Sequence, residues 1–554
     1  MTNQPYTKAD FTAPLYQTFP EFLEGISKLY GPKPALSWFT RRQEEKTLTY
    51  QELTQKVSML RKTLLQKGFP KESHIAIISE NSAEWIISFL AIVSCGHIAV
   101  CVDTEQSDDI ILDMVRRSDA RMVFLSDTFL PICLPLLDES PLLSMVLMNG
   151  TPDDNRVESM DDMLAKGADL PEPTACVQVS PEQTAEIVFT SGTTSRSKMV
   201  MLTQRGVLQN MYDSSLFVYF YDRTFCSLPF YHAYGLNCAV LNSFLRGCQL
   251  YINGDLRTTM RDLKLAKPDT MLTVPLMLET IHSRMWLELE KAGKADSVRR
   301  LMKLAALCKK LHLPFRPQAF DMLREKFSDT LRLVISGGAH LSPEIAEEFE
   351  LLGIQVLQGY GITECCPLIS VNCNFKNKLG SVGRHLSSME IRVEDGEIWA
   401  KGPSIMEGYY NDPEQTAEAL SDGWFKTGDL GHMDKDGFIF LTGRKKNLIV
   451  FKNGKKVSPE TLEEMISHIP MVKEVVVSGN TTETFSGDVK LTATIYPDPL
   501  RTEGLSSYEI LERIQREVNH LNSDLPLYQQ IQMVTIREKE FDKTGTKKIK
   551  RHDG

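Results

Sequence analysis

The stretch on which the fold turns is Trp85 to Val102, WIISFLAIVSCGHIAVCV. It carries no formally charged side chain and approaches the length of a membrane span. Gly96 and His97 interrupt it, however, with the β-branched run HIAIIS before it and the helical stretch DDIILDMVRRSD followed by RMVFLS after it. The segment therefore reads as a buried helix ending near Gly96 and then a strand, HIAVCV, with no transmembrane segment. Alternating strand and helix is the pattern of a parallel sheet covered on both faces, which makes the fold class α/β.

The same alternation returns beyond the middle of the chain. LRLVISGGAH reads as a buried strand ending at Gly337 and Gly338, SPEIAEEFELLG as a helix capped by Ser342, and IQVLQGYG as the next strand. Ligands bind beyond the carboxyl ends of such strands, where the Gly pair and the Gly359 to Glu364 turn converge. From about Met389 the pattern changes to MEIRVEDGEIWAKG, an antiparallel hairpin around Asp395 and Gly396. After GRKK comes a short α+β region: helix SPETLEEMISHI, strands VKEVVVSG and DVKLTATIYP, and a helix around YEILERIQREVNHL. The boundary is placed near Lys446, giving an N-terminal domain over 1–445 with a β-rich subdomain over about 375–445, and a C-terminal domain over 446–554.

Composition narrows the function classes. The 554 residues exceed what one core usually organises, and 42% hydrophobic with 24% charged residues is ordinary for a globular protein. A net charge of −10 argues against a nucleic-acid binder. The eleven cysteines show no CxxC pair, and the N-terminus MTNQPYTKADF has neither the basic start nor the apolar core of a secretory signal, so a reducing cytoplasmic location is expected.

Five short motifs carry chemistry. TSGTTSRSK, Thr190 to Lys198, follows the apolar strand EIVF and offers hydroxyls, backbone N–H groups and a lysine to phosphate oxygens. A solvated Ser/Thr turn is the bland alternative, and the Walker A pattern is absent. YGITE supplies an aromatic face at Tyr360, a hydroxyl at Thr363 and a carboxylate at Glu364. Asp429 in TGD is either a turn residue or a carboxylate able to accept from a vicinal diol, with Arg444 in GRKK as its companion. The tail FDKTGTKKIKR, standing alone, reads as a solvated basic end.

Present together in this order, these motifs resemble those of the adenylate-forming superfamily of acyl- and aryl-CoA synthetases, peptide-synthetase adenylation domains and luciferases. In detail they look most like free-standing long-chain fatty acyl-CoA synthetases. The resemblance implies a large N-terminal domain of α/β sheets with a β-rich subdomain and a small mobile α+β C-terminal domain. It implies that Thr190, Ser191, Gly192, Thr193, Thr194 and Lys198 wrap the ATP phosphates. Gly337, Gly338, Gln358, Tyr360 and Gly361 complete the nucleotide site, with Tyr360 stacked on adenine. Thr363 contacts the α-phosphate, Glu364 holds Mg2+, and Asp429 with Arg444 takes the ribose. Lys446 falls at the hinge and Gly454 lines the thiol tunnel. In LPFYHAYGLN, His232 stands beside the reacting carboxylate, with Tyr231, Tyr234 and Gly235 in the acyl pocket.

Lys548 is the implied catalytic lysine, with Thr363 and His232 as the other catalytic groups. Lys547 and Lys550 compete for its place, but KIKR aligns best with Lys548 and Arg551 matches the motif's final arginine. The chain departs from the family pattern at Ser195, Ser197 and Met199, where glycine, proline and glycine are usual.

The implied reaction is activation of a fatty or other apolar carboxylic acid with ATP and Mg2+, followed by thioester formation with coenzyme A. A separate carrier protein is the rival acceptor, and a catalytically impaired binding relative is the alternative class. The oligomeric state is left open.

Overall fold

The structure, a computed structural model, describes residues 14–140, 142–171, 178–190, 197–315, 317–325, 327–451, 454–481, 489–543, 549 and 551. Packing separates two compact units, Met1–Glu390 with Ala400–Phe425, and Ile391–Trp399 with Lys426–Gly554.

In the first unit the Trp85–Val102 stretch folds as helix Ala83–Ser94 and strand Ile98–Cys101, with every helix residue except Glu84 buried. Ser82 caps the helix by accepting from the Trp85 N–H at 3.0 Å. Burying a side chain as large as Trp85 or Phe89 is worth roughly 1.5–3 kcal/mol each, which is why an apolar run of this length sits inside the molecule. Among the described residues no helix is long and apolar enough to cross a membrane.

Two mixed sheets result. In one, strands Thr184–Thr190, Ile98–Cys101, His74–Ile78, Met122–Leu125, Ser144–Leu147 and Val157–Ser159 lie side by side and parallel. Antiparallel Lys198–Thr203 and Gly408–Tyr409 extend its edge. In the other, Gln355–Gly361, Leu333–Ser336, Thr270–Thr273, Arg223–Cys226, Gln249–Ile252 and Pro34–Phe39 are parallel. Leu368–Val371 and Arg384–His385 continue it antiparallel at one edge, Glu45–Thr49 at the other. Helix Pro343–Leu351 starts at Ser342, whose hydroxyl accepts from Ile345 N–H at 3.5 Å.

The second unit contains the expected turn at Asp395 and Gly396, where φ is +49° and +82°. Two successive positive φ values make the tight turn that Asp-Gly favours. Its three-stranded sheet pairs Val472–Thr481 antiparallel with Val489–Pro497, and Met533–Ile536 adds parallel to the latter. Helices Pro459–Ser467 and Ser507–Ser523 bury Leu462, Ile466, Ile514 and Val518 in the same core as this sheet's valines and isoleucines.

Candidate active site

Strand Thr184–Thr190 leads into the Ser/Thr-rich loop and Lys198–Thr203 leads out of it, with Thr190 directly opposite Lys198. The loop's two ends are thereby fixed one strand apart, at the edge of the buried sheet. Ser191, Gly192, Thr193 and Thr194 lie outside the described residues. Met199, one of the departures from the family pattern, is buried in the core of this sheet. The backbone carbonyl of Ser197, another departure, accepts from Arg117 Nη2 at 2.8 Å.

Glu364 sits in a single helical turn, Thr363–Cys365, just beyond strand Gln355–Gly361. Tyr409 Oη donates to Glu364 Oε1 at 2.8 Å, and Lys198 Nζ stands 4.4 Å from the centre of the same tyrosine ring. One phenol thus links the lysine at the loop's exit to the carboxylate of YGITE, through a cation–π contact and a charge-assisted hydrogen bond. Burial first, then the Glu364 carboxylate, pushes the Tyr409 pKa up and keeps the hydroxyl a donor. The turn is held from behind: Met406 N–H donates to the Glu364 carbonyl at 2.8 Å, and Asn210 Nδ2 donates to the carbonyls of Cys365 at 3.0 Å and Leu368 at 2.8 Å. Gly361 is required here, because a Cβ at that position would stand 2.1 Å from the Pro367 carbonyl oxygen.

The remaining sequence-predicted groups of this unit lie at the ends of the second sheet. Tyr360 is buried near the end of its strand, and the buried Gln358 accepts from Leu341 N–H through Oε1 at 3.4 Å. Tyr234 donates to the carbonyls of Ile335 at 3.0 Å and Thr273 at 3.2 Å, and its ring lies against Gly337, which Gly338 follows. Its hydroxyl is therefore committed to strand ends. Tyr231 and His232 pack with ring centres 4.7 Å apart, Tyr231 being buried. Asn81 fixes this segment, donating to Leu228 O at 2.7 Å and accepting from Phe230 N–H at 2.9 Å. Gly235 lies in helix Tyr234–Leu241, which is wound as a π-helix, a form enriched at functional sites.

In the second unit Asp429 and Arg444 face each other across paired strands, and Arg444 Nε meets Asp429 Oδ1 at 2.8 Å. Asp429 is buried and Arg444 partly exposed. Thr427 Oγ1 accepts from Asp429 N–H at 3.0 Å and donates to Ile398 O at 2.6 Å, so the TGD bend is internally tied. Lys446 is exposed in the turn Lys445–Asn447, and Gly454 is exposed between strands Ile449–Val450 and Lys456–Val457. Lys547 and Lys548 lie outside the described residues, as does Lys550. Their neighbours are placed: Ile549 bridges to Lys543, and Arg551 Nη1 meets Glu463 Oε1 at 2.7 Å.

The structure thus brings Thr190, Lys198 and Glu364 to one strand edge, Tyr234 to Gly337, and Asp429 to Arg444. Sequence reasoning missed Tyr409, Asn81 and Asn210. Only the Tyr409-Tyr410 pair in MEGYYN carried a signal, as an aromatic doublet between two motifs, whereas the asparagines occur in ordinary surroundings.

A model of the AMP-binding enzyme family matches residues 26–410, and a model of the AMP-binding enzyme C-terminal domain matches 446–553. A long-chain-fatty-acid–CoA ligase of Mycobacterium bovis is 27% identical over 443 residues, covering 75% of this chain and 72% of its own. Among solved structures, an anthranilate CoA ligase in complex with anthranoyl-AMP superposes with a TM-score of 0.79 at 20% identity, covering 98% of both chains. The o-succinylbenzoate coenzyme A synthetase of Bacillus subtilis, in complex with ATP and magnesium ion, gives 0.71 at 21% identity, covering 96% of this chain and 98% of its own.

Proposed function

The chain belongs to the AMP-binding enzyme family, and from that membership we propose that it is an ATP-dependent acid–thiol ligase acting on a fatty or other apolar carboxylic acid. The observation that carries this reading is the Lys198–Tyr409–Glu364 chain at the phosphate-loop edge. It holds a cation and a carboxylate close together, the two charges that a polyphosphate with its metal calls for. The Mycobacterium relative, a long-chain-fatty-acid–CoA ligase by name, supports the substrate class.

Mg2+ fits the donor set. Among the described residues no group of three or more His, Cys, Asp or Glu side chains could hold a metal, whereas Mg2+ takes one or two carboxylates and completes its shell with phosphate oxygens and water. Glu364 would hold the ion, Tyr409 engaging one of its two oxygens. The ion, when bound, neutralises phosphate charge.

The chain's own residues divide the work as follows. Thr190, the loop Ser191–Thr194 and Lys198 position the phosphates, and Tyr360, Gly337, Gly338, Gln358 and Gly361 form the adenine side. Asp429 with Arg444 offers the ribose hydroxyls an acceptor held in place by a guanidinium. His232 and Thr363 stand by the reacting carboxylate and α-phosphate. An acid oxygen attacks the α-phosphorus, pyrophosphate leaves, and Lys548 offsets the charge that develops on the α-phosphate. In the second step the coenzyme A thiolate, reaching the site past Gly454, attacks the acyl carbon and AMP leaves. Lys446 is the proposed hinge between a domain over 1–445 and one over 446–554. The ten described cysteines are free thiols, nine of them buried, which supports a reducing, cytoplasmic setting.

Pyrophosphate release with Mg-ATP over fatty, aryl and amino acids, with and without coenzyme A, tests the proposal. Thioester formation with a fatty acid is expected. Acyl-adenylate that fails to transfer to coenzyme A would make a carrier protein the acceptor, and no acid-dependent release at all would sink the enzymatic reading.

A further inference from the structure

Glu186 is an ionisable group for which the steps above have no use. It lies in strand Thr184–Thr190, fully buried, four residues before the phosphate loop's first threonine. A carboxylate removed from water needs several donors to stay ionised. Glu186 has one: Asn237 Nδ2 donates to Oε1 at 3.0 Å, and Oε2 has no hydrogen-bond partner. The same Asn237 Nδ2 donates its second hydrogen to the carbonyl of Cys366 at 3.3 Å. Three parts of the candidate site therefore meet at one buried amide: the strand entering the phosphate loop, the π-helix after His232, and the turn that presents Thr363 and Glu364.

We propose that Glu186 is a positioning residue that works un-ionised, sharing Asn237 with the Cys366 carbonyl so that the Thr363–Glu364 turn keeps its register with the phosphate loop. Burial pushes the Glu186 pKa up to about 7 against the opposing hydrogen bond from Asn237. The titratable groups facing it are the thiols of Cys101 on the adjacent strand and Cys366 on the turn, both held protonated by burial. Ionisation places an unshielded charge beside a single amide. Asn237 is then drawn to the carboxylate, and the longer of its two bonds, to Cys366, slackens. The turn carrying Glu364 loses a donor, and adenylation falls as pH rises.

The inference rests on the adenylation reading, so the test is acid-dependent exchange of pyrophosphate into ATP, which avoids the coenzyme A thiol. Wild-type exchange at pH 6.5 checks the reading itself. On that basis kcat/KM for Mg-ATP is expected to decline above a midpoint near 7. Glu186→Gln, which is neutral and of the same shape, is expected to stay within about three-fold of wild type at pH 6.5 and to lose the decline, overtaking wild type by pH 8.5. A folded Glu186→Gln with the wild-type decline would overturn the proposal, as would one inactive at every pH. Infrared difference spectra of the wild-type protein provide a readout besides activity. A protonated-carboxyl carbonyl band that disappears on titration through the same midpoint supports the assignment, and its absence at pH 6 refutes it.

Discussion

Tyr409 shows how much of a site can depend on one hydroxyl. Its bond to Glu364 joins a neutral donor to a carboxylate, an interaction worth roughly 1.5–3 kcal/mol. Tyr409→Phe keeps the ring under Lys198 and removes only that bond, so KM for Mg-ATP is expected to rise roughly 10- to 100-fold with the apparent Mg2+ requirement raised in step. Steady-state titration of Mg-ATP at fixed acid checks this, and an unchanged KM would show that Tyr409 does not orient Glu364. The carboxylate was legible in the sequence because YGITE is compact, whereas Tyr409 stands 45 positions beyond Glu364 and reaches it only because a two-residue strand docks on Lys198–Thr203. Glu186 was equally hidden, since a lone acid inside an apolar strand carries no motif. Its pKa also fixes a stability trend. The folded value, about 7, lies above the free-chain value of 4.5, so its contribution is full below pH 4.5 and lost as pH rises towards 7. Glu186→Gln should therefore gain on wild type by about 3 kcal/mol in the first unit between pH 4.5 and 8. Urea unfolding at both pH values measures it, and parallel curves would refute the raised pKa.

At the scale of elements, the Thr363–Cys365 turn is defined by steric limits as much as by hydrogen bonds. Strand Gln355–Gly361 pairs with Leu368–Val371 through a register shift between Tyr360 and Gly361, and at that shift the Pro367 carbonyl approaches Gly361. Gly361→Ala puts a methyl 2.1 Å from a backbone oxygen, which cannot rotate away. The turn must move by about 1 Å, a misplacement that typically costs on the order of 100-fold in rate. Adenylation is expected to fall by that order while circular dichroism stays native, and an active Gly361→Ala would show that the turn adapts. Helix and strand alternation around Trp85–Val102 was readable because polarity and Gly96 both mark the break, and the folded helix and strand, Ala83–Ser94 and Ile98–Cys101, fall either side of it. The π-helix Tyr234–Leu241 was not, since eight mostly apolar residues are compatible with several windings and only packing chooses among them. Asn81, which pins the preceding segment, is brought to it by a strand-end loop of the other sheet, a juxtaposition that no local pattern encodes.

At the scale of the whole molecule, the order of motifs along the chain was what the sequence displayed best, because each motif is a short contiguous string. The phosphate loop, YGITE and the His232 segment belong to the larger unit, while Asp429, Arg444 and the lysine-bearing tail belong to the smaller. Contacts also draw 426–445 into the smaller unit, since strand Ile439–Arg444 packs on helix Pro459–Ser467, with Thr461 Oγ1 donating to Thr442 O at 3.4 Å. A sequence reading cannot anticipate that association, because it depends on contacts between separated segments. Within that unit, Arg551 is secured by Glu463 and by Glu460, the latter at 3.4 Å, while Ile549 pairs with Lys543. Lys548→Ala is therefore expected to leave the unit folded and to remove one charge from the reaction. Adenylation should fall at least 100-fold if the lysine opposes charge on the α-phosphate in the transition state, as loss of a comparable electrostatic donor does. Thioester formation from supplied acyl-adenylate should stay within about three-fold, because that step breaks no bond to pyrophosphate. Lys547→Ala, measured alongside, assigns the role between neighbours: a larger adenylation loss there moves the catalytic charge by one residue, and equal loss of both half-reactions in Lys548→Ala rules out its specific part in the first.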